Sequence, residues 1–365
     1  MKNNFCVIMA GGIGSRFWPM SRTDYPKQFI DILGTGKSLI QQTYDRFKNI
    51  VPKENFLVVT NELYKKLVLE QLPDLIEEQV LLEPLRRNTA PCIEYANQII
   101  QKKNTEANII VTPADHLVLD TQSFEKTISL GLDFTSKHNA LLTLGIHPSR
   151  PDTGYGYIQR ETNNSFTQVE GLYKVKTFTE KPDLETAKFF IDSGEFSWNS
   201  GIFLWSLNSI QEAFKKYLPD VIQLFEEHKG NLGTNKEAQS ISSIYSNCKN
   251  ISIDYGIMEK SDNVFILESD FGWSDLGTWG SLYANSDKDK NQNVIDGKRV
   301  FLFDSKNNLV KMPDGKLVVA QGLDGYIVVE SNDTLLICKQ ENEQDIKRYI
   351  ADVKEQIGDD FSKLS

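Results

Sequence analysis

Over the first 150 residues, two hydrophobic rhythms alternate along the chain. Short apolar, β-rich runs at Phe5–Ala10, Asn55–Thr60, Val80–Glu83, Asn108–Thr112 and Ala140–Gly145 predict strands. Between them the apolar residues recur at helical spacing. Ser38–Phe47 carries Leu39, Ile40, Tyr44 and Phe47 on one face, and Asn61–Leu72 opens on a capping Asn. Thr89–Lys103 has Pro91 in its first turn, and Phe124–Ser136 is the fourth such segment. Strands and helices alternating at this length predict βαβ units, an α/β fold and a mostly parallel sheet. In such sheets ligands sit beyond the carboxyl ends of the strands, so the residues just after each strand matter most.

From Gly154 to Gly280 the pattern loosens into shorter strands and polar loops. Helices are expected at 183–193, 208–217 and 235–247, the first two capped by Asp183 and Asn208. This stretch reads as insertions around the same sheet rather than as a separate domain. After Asn291 apolar clusters recur roughly every nine residues, at Val300–Phe303, Leu309–Val310, Leu317–Val319, Ile327–Val329 and Leu335–Ile337, with turn signals between them. They predict a small all-β unit, either a meander or a few coils of a β-helix. A last amphipathic helix carries Ile346, Tyr349, Ile350, Val353 and Ile357 on one face. The expected division is therefore a catalytic domain over 1–290 and a small β-rich domain over 291–365.

Composition narrows the function. The chain has 365 residues, 25% charged and 40% hydrophobic, an ordinary globular mix. A net charge of −10 disfavours broad nucleic-acid or anionic-membrane binding but leaves room for a local phosphate pocket. The four cysteines and four histidines are scattered without metal-ligand spacing, which argues against zinc and for reduced thiols in a cytoplasmic protein. No membrane span or signal segment is expected.

The strongest chemical signal follows the first strand: Ala10-Gly11-Gly12-Ile13-Gly14-Ser15-Arg16, then Pro26-Lys27. Three glycines let backbone N–H groups approach a phosphate chain, and Arg16 with Lys27 supplies positive charge. A dinucleotide fingerprint fails because position 17 is Phe17, and Gly36-Lys37-Ser38 lacks the leading glycine of a P-loop, having Asp31 there. Pro113-Ala114-Asp115-His116 follows a strand directly, so Asp115 can hold Mg²⁺, although taken alone such an Asp is more often a helix cap or turn former. His116 has no evident partner in the sequence and reads as structural. Glu180 and Asn199, in Glu180-Lys181-Pro182 and Trp198-Asn199-Ser200-Gly201, suit sugar hydroxyls, and Lys181 suits a phosphate. The Trp273–Trp279 loop adds a second acid, Asp275, among tryptophans better suited to packing than to stacking on a base.

In this order the motifs resemble the bacterial mannose-1-phosphate guanylyltransferases. The resemblance extends through Pro26-Lys27-Gln28-Phe29, Glu83-Pro84, Arg87–Pro91, Gly154–Ile158, Phe178–Pro182 and Ser252-Ile253-Asp254-Tyr255. Ser15, Cys92 and Gly256 are small departures. The resemblance implies a Rossmann-like nucleotidyltransferase core, a short left-handed β-helical tail, and GTP, mannose 1-phosphate and Mg²⁺ as ligands. It implies that Gly11, Gly12, Gly14, Ser15 and Arg16 meet the triphosphate, with Lys27 and Lys181 as further catalytic cations. Lys181 would meet the sugar phosphate, while Glu180, Asn199 and the Gly154-Tyr155 turn hold mannose. Asp115 and Asp275 would share Mg²⁺. Glu83 could accept from guanine N1 and N2, with backbone groups of Asn88 and Ala90 at the remaining edge.

Long relatives carry an added isomerase domain, and the length of this chain leads us to expect none. The tail is expected to be structural and associative, in a homodimer. Competing readings are a transferase for another sugar 1-phosphate, such as fucose or a heptose, and a non-catalytic relative.

Overall fold

The computed structural model describes residues 2–161 and 169–358. Its contacts separate two compact units, neither continuous in sequence. The first comprises the chain up to Gly11, Tyr44–Ala114 and Val118–Trp273; the second comprises Gly12–Thr43, Asp115–Leu117 and Ser274 onward.

The first unit is built on a nine-stranded sheet. Its strands are β1 (Asn4–Met9), β2 (Phe56–Asn61), β3 (Val80–Glu83), β4 (Asn108–Pro113), β5 (Leu141–Ile146), β6 (Gly156–Arg160), β7 (Leu172–Glu180), β8 (Phe196–Ser206) and β9 (Val264–Ser269). The spatial order is β3-β2-β1-β4-β8-β5-β9-β7-β6. The expectation of a mostly parallel sheet is corrected: four pairings are parallel and five antiparallel. Parallel neighbours need a long crossover, which the helix-bearing first half supplies for β1–β4. The Gly154–Gly280 stretch instead adds β6 and β7 as an antiparallel pair and runs β8 antiparallel between β4 and β5. That stretch does join the same sheet, as expected from the sequence.

The helices are α1 (Leu39–Phe47), α2 (Lys65–Gln71), α3 (Thr89–Lys103), α4 (Thr121–Lys137), α5 (Leu184–Ser193), α6 (Leu207–Tyr217), α7 (Pro219–His228), α8 (Glu237–Asn247), α9 (Trp279–Ala284) and α10 (Ile346–Ile357). Sequence reasoning missed α7, which starts on Pro219. It also misplaced the cap of α6, where Ser206 rather than Asn208 accepts the Ser209 N–H. The apolar faces of α3, α6, α7 and α8 pack with β1, β2 and β4 in one core that includes Ile93, Ile100, Phe214, Phe225 and Tyr245.

In the second unit, β10 (Val294–Asp296), β12 (Leu309–Lys311) and β14 (Tyr326–Ser331) form one parallel ladder, and β11 (Val300–Phe303) and β13 (Val318–Gln321) form another. The chain passes alternately between the two ladders, the arrangement of β-helix coils rather than of a meander. Val294, Leu309 and Ile327 stack in register inside. Buried Asn293 and Asn308 form a ladder at one corner, where Asn293 Oδ1 accepts from Asn308 Nδ2 at 2.9 Å. A final strand, β15 (Thr334–Lys339), folds back antiparallel on β14. Among the described residues no helix is long and apolar enough to cross a membrane, and the four cysteines are free and buried.

Candidate active site

The glycine loop in the second unit is fixed by its carbonyls. Gln28 Nε2 donates to Gly12 O at 2.9 Å, and Ser21 Oγ donates to Ile13 O at 2.6 Å. Among the described residues none accepts from the amides of Gly12, Ile13, Gly14 or Ser15. A run of uncommitted N–H groups on a rigid loop is an anion cradle. Gly14 is the position where glycine is required: its φ is +65°, and a Cβ there would stand 2.5 Å from Lys27 Cβ. At Gly12 a Cβ would meet nothing within 4 Å, so the backbone lies open. Arg16 follows in a 3-10 turn, Ser15–Phe17, and its Nε is buried without a hydrogen-bond partner.

Lys27 is not the open cation that the sequence suggested. Only 3% exposed, its ammonium pairs with Asp115 Oδ2 at 2.8 Å and donates to the carbonyls of Asp275 and Leu276, each at 2.9 Å. An ammonium has three N–H donors, and all three have protein acceptors. Lys27 thus ties together the two loops that carry the acids. Burial pushes the Asp115 carboxyl up, but the charges of Lys27 and His116 outweigh it and hold the group below the usual carboxylate range. Asp275 closes a turn by accepting the Gly277 N–H at 2.9 Å, next to Leu276 with its strained φ of +43°. Trp279 is fully buried against Phe17, with ring centroids 4.9 Å apart, a packing role as expected.

The first unit holds two further groups of site residues. At one, Glu180 ends β7, and Gly156 on β6 makes room for it: a Cβ there would be 2.4 Å from Glu180 Oε2. Lys181, at φ +49°, pairs with Glu180 and donates its N–H to Tyr155 O. The Gly154-Tyr155 turn is built on Asp152, whose Oδ1 accepts the Gly154 N–H at 2.9 Å. The Tyr155 ring packs edge-on against Trp198 and Trp273. Asn199 is locked in orientation: Oδ1 accepts from Thr143 Oγ1 at 2.8 Å, and Nδ2 donates to Asp254 Oδ1 at 3.0 Å. Asp254 is the residue to which sequence reasoning gave no role, although it sits in the Ser252–Tyr255 motif. It opens a π-helical turn, Asp254–Met258, a distortion frequent at functional sites. Burial, with the charge of Glu180 adding to it, pushes its carboxyl up to about 6.

At the other group, Glu83 ends β3 and is 8% exposed. Oε1 accepts from Tyr245 OH at 2.8 Å, and Oε2 lies 3.4 Å from where a Cβ on Gly11 would sit. Burial raises the carboxyl to about 7, against the lowering effects of the Tyr245 bond and Arg86. Asn88, at φ +66°, caps α3 through the Thr89 N–H. The expectation for Ala90 is corrected: its N–H donates to Ile251 O at 3.1 Å and is not available to a base.

Residues 5–292 match the family model described as "Nucleotidyl transferase", and residues 298–352 match "MannoseP isomerase/GMP-like beta-helix domain". A mannose-1-phosphate guanylyltransferase of Escherichia coli is 35% identical over 94% of this chain and 74% of its own length. The chain belongs to the mannose-1-phosphate guanylyltransferase family. Another member, from Salmonella montevideo, is 37% identical over 95% of this chain and 73% of its own length. Among solved structures, one described as mannose-1-phosphate geranyltransferase from Thermus thermophilus superposes with a TM-score of 0.85 at 28% identity. It covers 96% of this chain and 99% of that one. This chain thus spans about three quarters of the length of those two guanylyltransferases. The family's β-helix match coincides with the coiled strands after Val294.

Proposed function

We infer that the chain transfers GMP from GTP to α-D-mannose 1-phosphate, giving GDP-mannose and pyrophosphate. The carrying observation is the rigid loop of uncommitted amides at Gly12–Ser15 beside Arg16, on a chain similar to guanylyltransferases along nearly its whole length. An oxygen of the sugar phosphate attacks the α-phosphorus of GTP, forming the new P–O bond as the bond to pyrophosphate breaks. A phosphate monoester with a second pKa near ~6 is already largely ionised at neutral pH, so no general base is required. The barrier lies in bringing two polyanions together and in the charge growing on the leaving group. Catalysis is then positioning plus electrostatics.

The Gly11–Ser15 amides and Arg16 hold the triphosphate, and Lys181 neutralises the sugar phosphate. Glu180, Asn199 and the Gly154-Tyr155 turn bind mannose, and Glu83 with Asn88 faces guanine. Lys27 acts mainly by holding the Asp115 and Asp275 loops. We assign Mg²⁺ to those two residues, because the ion takes one or two carboxylates and completes its shell with water and phosphate oxygens. Asp115, held ionised, has the donor chemistry required. The ion would supply charge neutralisation at the phosphates.

We further place the domain division near residue 290, supported by family matches that end at 292 and begin at 298, and we propose a cytoplasmic homodimer. Pyrophosphate release measured across a panel of nucleoside triphosphates and sugar 1-phosphates tests the activity. Turnover should be highest with GTP and mannose 1-phosphate; a different preferred sugar or base would sink this reading.

A further inference from the structure

We propose that Lys347, on the C-terminal helix, is a second phosphate-binding cation of the nucleotide loop, paired in function with Arg16. This rests on the guanylyltransferase reading and extends it, because it makes the C-terminal segment part of the site rather than only a structural tail.

The helix is fastened to the loop region inside the second unit. Ile346 is wholly buried in the same cluster as Phe17, Trp18 and Trp279, with Tyr349 and Ile350 packed against it. The Gly280 N–H donates to Glu343 Oε2 at 2.6 Å just ahead of α10. Buried Arg22 ties the chain after the loop to the β14–β15 turn, donating to Ser331 O at 3.0 Å and to Asp333 Oδ1 at 3.0 Å. Lys347, next to the anchored Ile346, is exposed and lies in the field of Arg16, whose charge, together with partial burial, drives the ammonium below the ordinary lysine range.

Ile346 and Phe17 share one buried cluster, which brings their sequence neighbours Lys347 and Arg16 to the same part of the second unit, and an anion bound there relieves the repulsion between two cations. The acids nearby are already committed: Glu343 to the Gly280 amide, and Asp345 in an ion pair with Arg348. No described acid is paired with either Arg16 or Lys347. Arg16 Nε is buried and has no acceptor. The adjoining amides of Gly12–Ser15 also lack acceptors among the described residues. The ligand that satisfies all of these groups is a polyphosphate, with several oxygens and at least two negative charges.

The test compares Lys347→Met and Lys347→Arg with the wild-type chain, using GTP kinetics, calorimetric binding of inorganic tripolyphosphate, and melting with and without nucleotide. Lys347→Met should raise KM for GTP and Kd for tripolyphosphate about five- to tenfold, the scale of one lost charge-assisted contact. KM for mannose 1-phosphate should move less than twofold. Removing a repelled charge should leave the melting temperature of the free protein unchanged or higher, and Lys347→Arg should restore tripolyphosphate binding. Unchanged tripolyphosphate affinity in Lys347→Met, or a lower free-protein melting temperature with equal losses for both substrates, would overturn the proposal. Tripolyphosphate binding that depends on Lys347 in a chain with no guanylyltransferase turnover would overturn the activity reading alone.

Discussion

Lys27 and Asp115 form an ion pair of 2.8 Å in which the lysine is almost fully buried and the acid only partly so. Asp275 meets the same ammonium through its backbone carbonyl. The two acids are therefore not equivalent. On the proposal that both hold Mg²⁺, each should lose at least ~10²-fold in turnover on conversion to Asn. Stability should separate them. Asp115→Asn strips a buried ammonium of its counter-charge and should cost about 3 kcal/mol, whereas Asp275→Asn leaves its carbonyl in place and should cost little. Because the Asp115 carboxyl is depressed, its contribution is present above the unfolded carboxylate pKa of about 4 and is lost as the pH falls through its folded value. Chemical denaturation of both variants at pH 7 checks this; equal stability losses would contradict the pairing.

Glu83 offers a test that reads pH. With its carboxyl near 7, the ionised form that can accept from guanine N1 and N2 grows as the pH rises through neutrality. KM for GTP should fall between about pH 6 and 8, and Glu83→Gln should flatten that profile and weaken discrimination against other bases. A variant with the wild-type profile and base preference would remove Glu83 from base recognition.

Asp254 should act on the sugar side alone. It holds Asn199 by a 3.0 Å bond and lies beside Glu180. Asp254→Asn weakens that orientation and should raise KM for mannose 1-phosphate about tenfold with less than a twofold change for GTP. Equal effects on both substrates would assign Asp254 to the fold instead.

Much of this was legible in sequence because local chemistry dictated it. The βαβ rhythm gave β1–β4 and α3, and the motifs at Gly11–Arg16 and Asp115 directly follow the ends of β1 and β4. Strand polarity was not legible: β8 reads as an apolar strand whichever way it runs, and only its neighbours β4 and β5 fix it. Nor was the fate of polar groups. Lys27 looks like any lysine near a glycine loop until its three acceptors, more than 80 positions away in sequence, are in place. Asp254 acquires meaning only through Asn199, and Lys347 only through Arg16.

Buried Glu94 in α3 gives a stability test away from the site. Asn97 Nδ2 and Gln98 Nε2 donate to it, and burial raises its carboxyl to about 7. The sign follows: a folded pKa above the unfolded value contributes stability that is complete below about pH 4.5 and is lost as the pH rises through 7. Asn97 Oδ1 and Gln98 Oε1 are buried without partners, so Glu94→Gln also supplies an amide donor within reach. The variant should be more stable than the parent at pH 8, by on the order of 2 kcal/mol, and no more stable at pH 5. A stability difference independent of pH would refute the shifted carboxyl.

The coiled C-terminal strands should carry the dimer contact. The register of β11 and β13 sets Phe301 opposite Val319, and these side chains are 53% and 65% exposed. Phe303 and Leu317 lie on the same two segments and are exposed at 55% and 57%, while Val300, Leu302 and Val318 face inward with Val310 and Val328. Alternation along the strands thus places large apolar groups where a solvated strand would carry polar ones. Covering the exposed part of these four side chains on each side of a two-fold axis favours association, against the translational and rotational freedom it costs. Replacing Phe301 and Val319 together by Lys puts like charges against each other across that axis. Sedimentation should show a dimer for the parent chain and a monomer for this double variant. The melting temperature at low protein concentration should hardly change, because neither side chain packs into its own coil. A monomeric parent, or a double variant that still dimerises, would rule this face out.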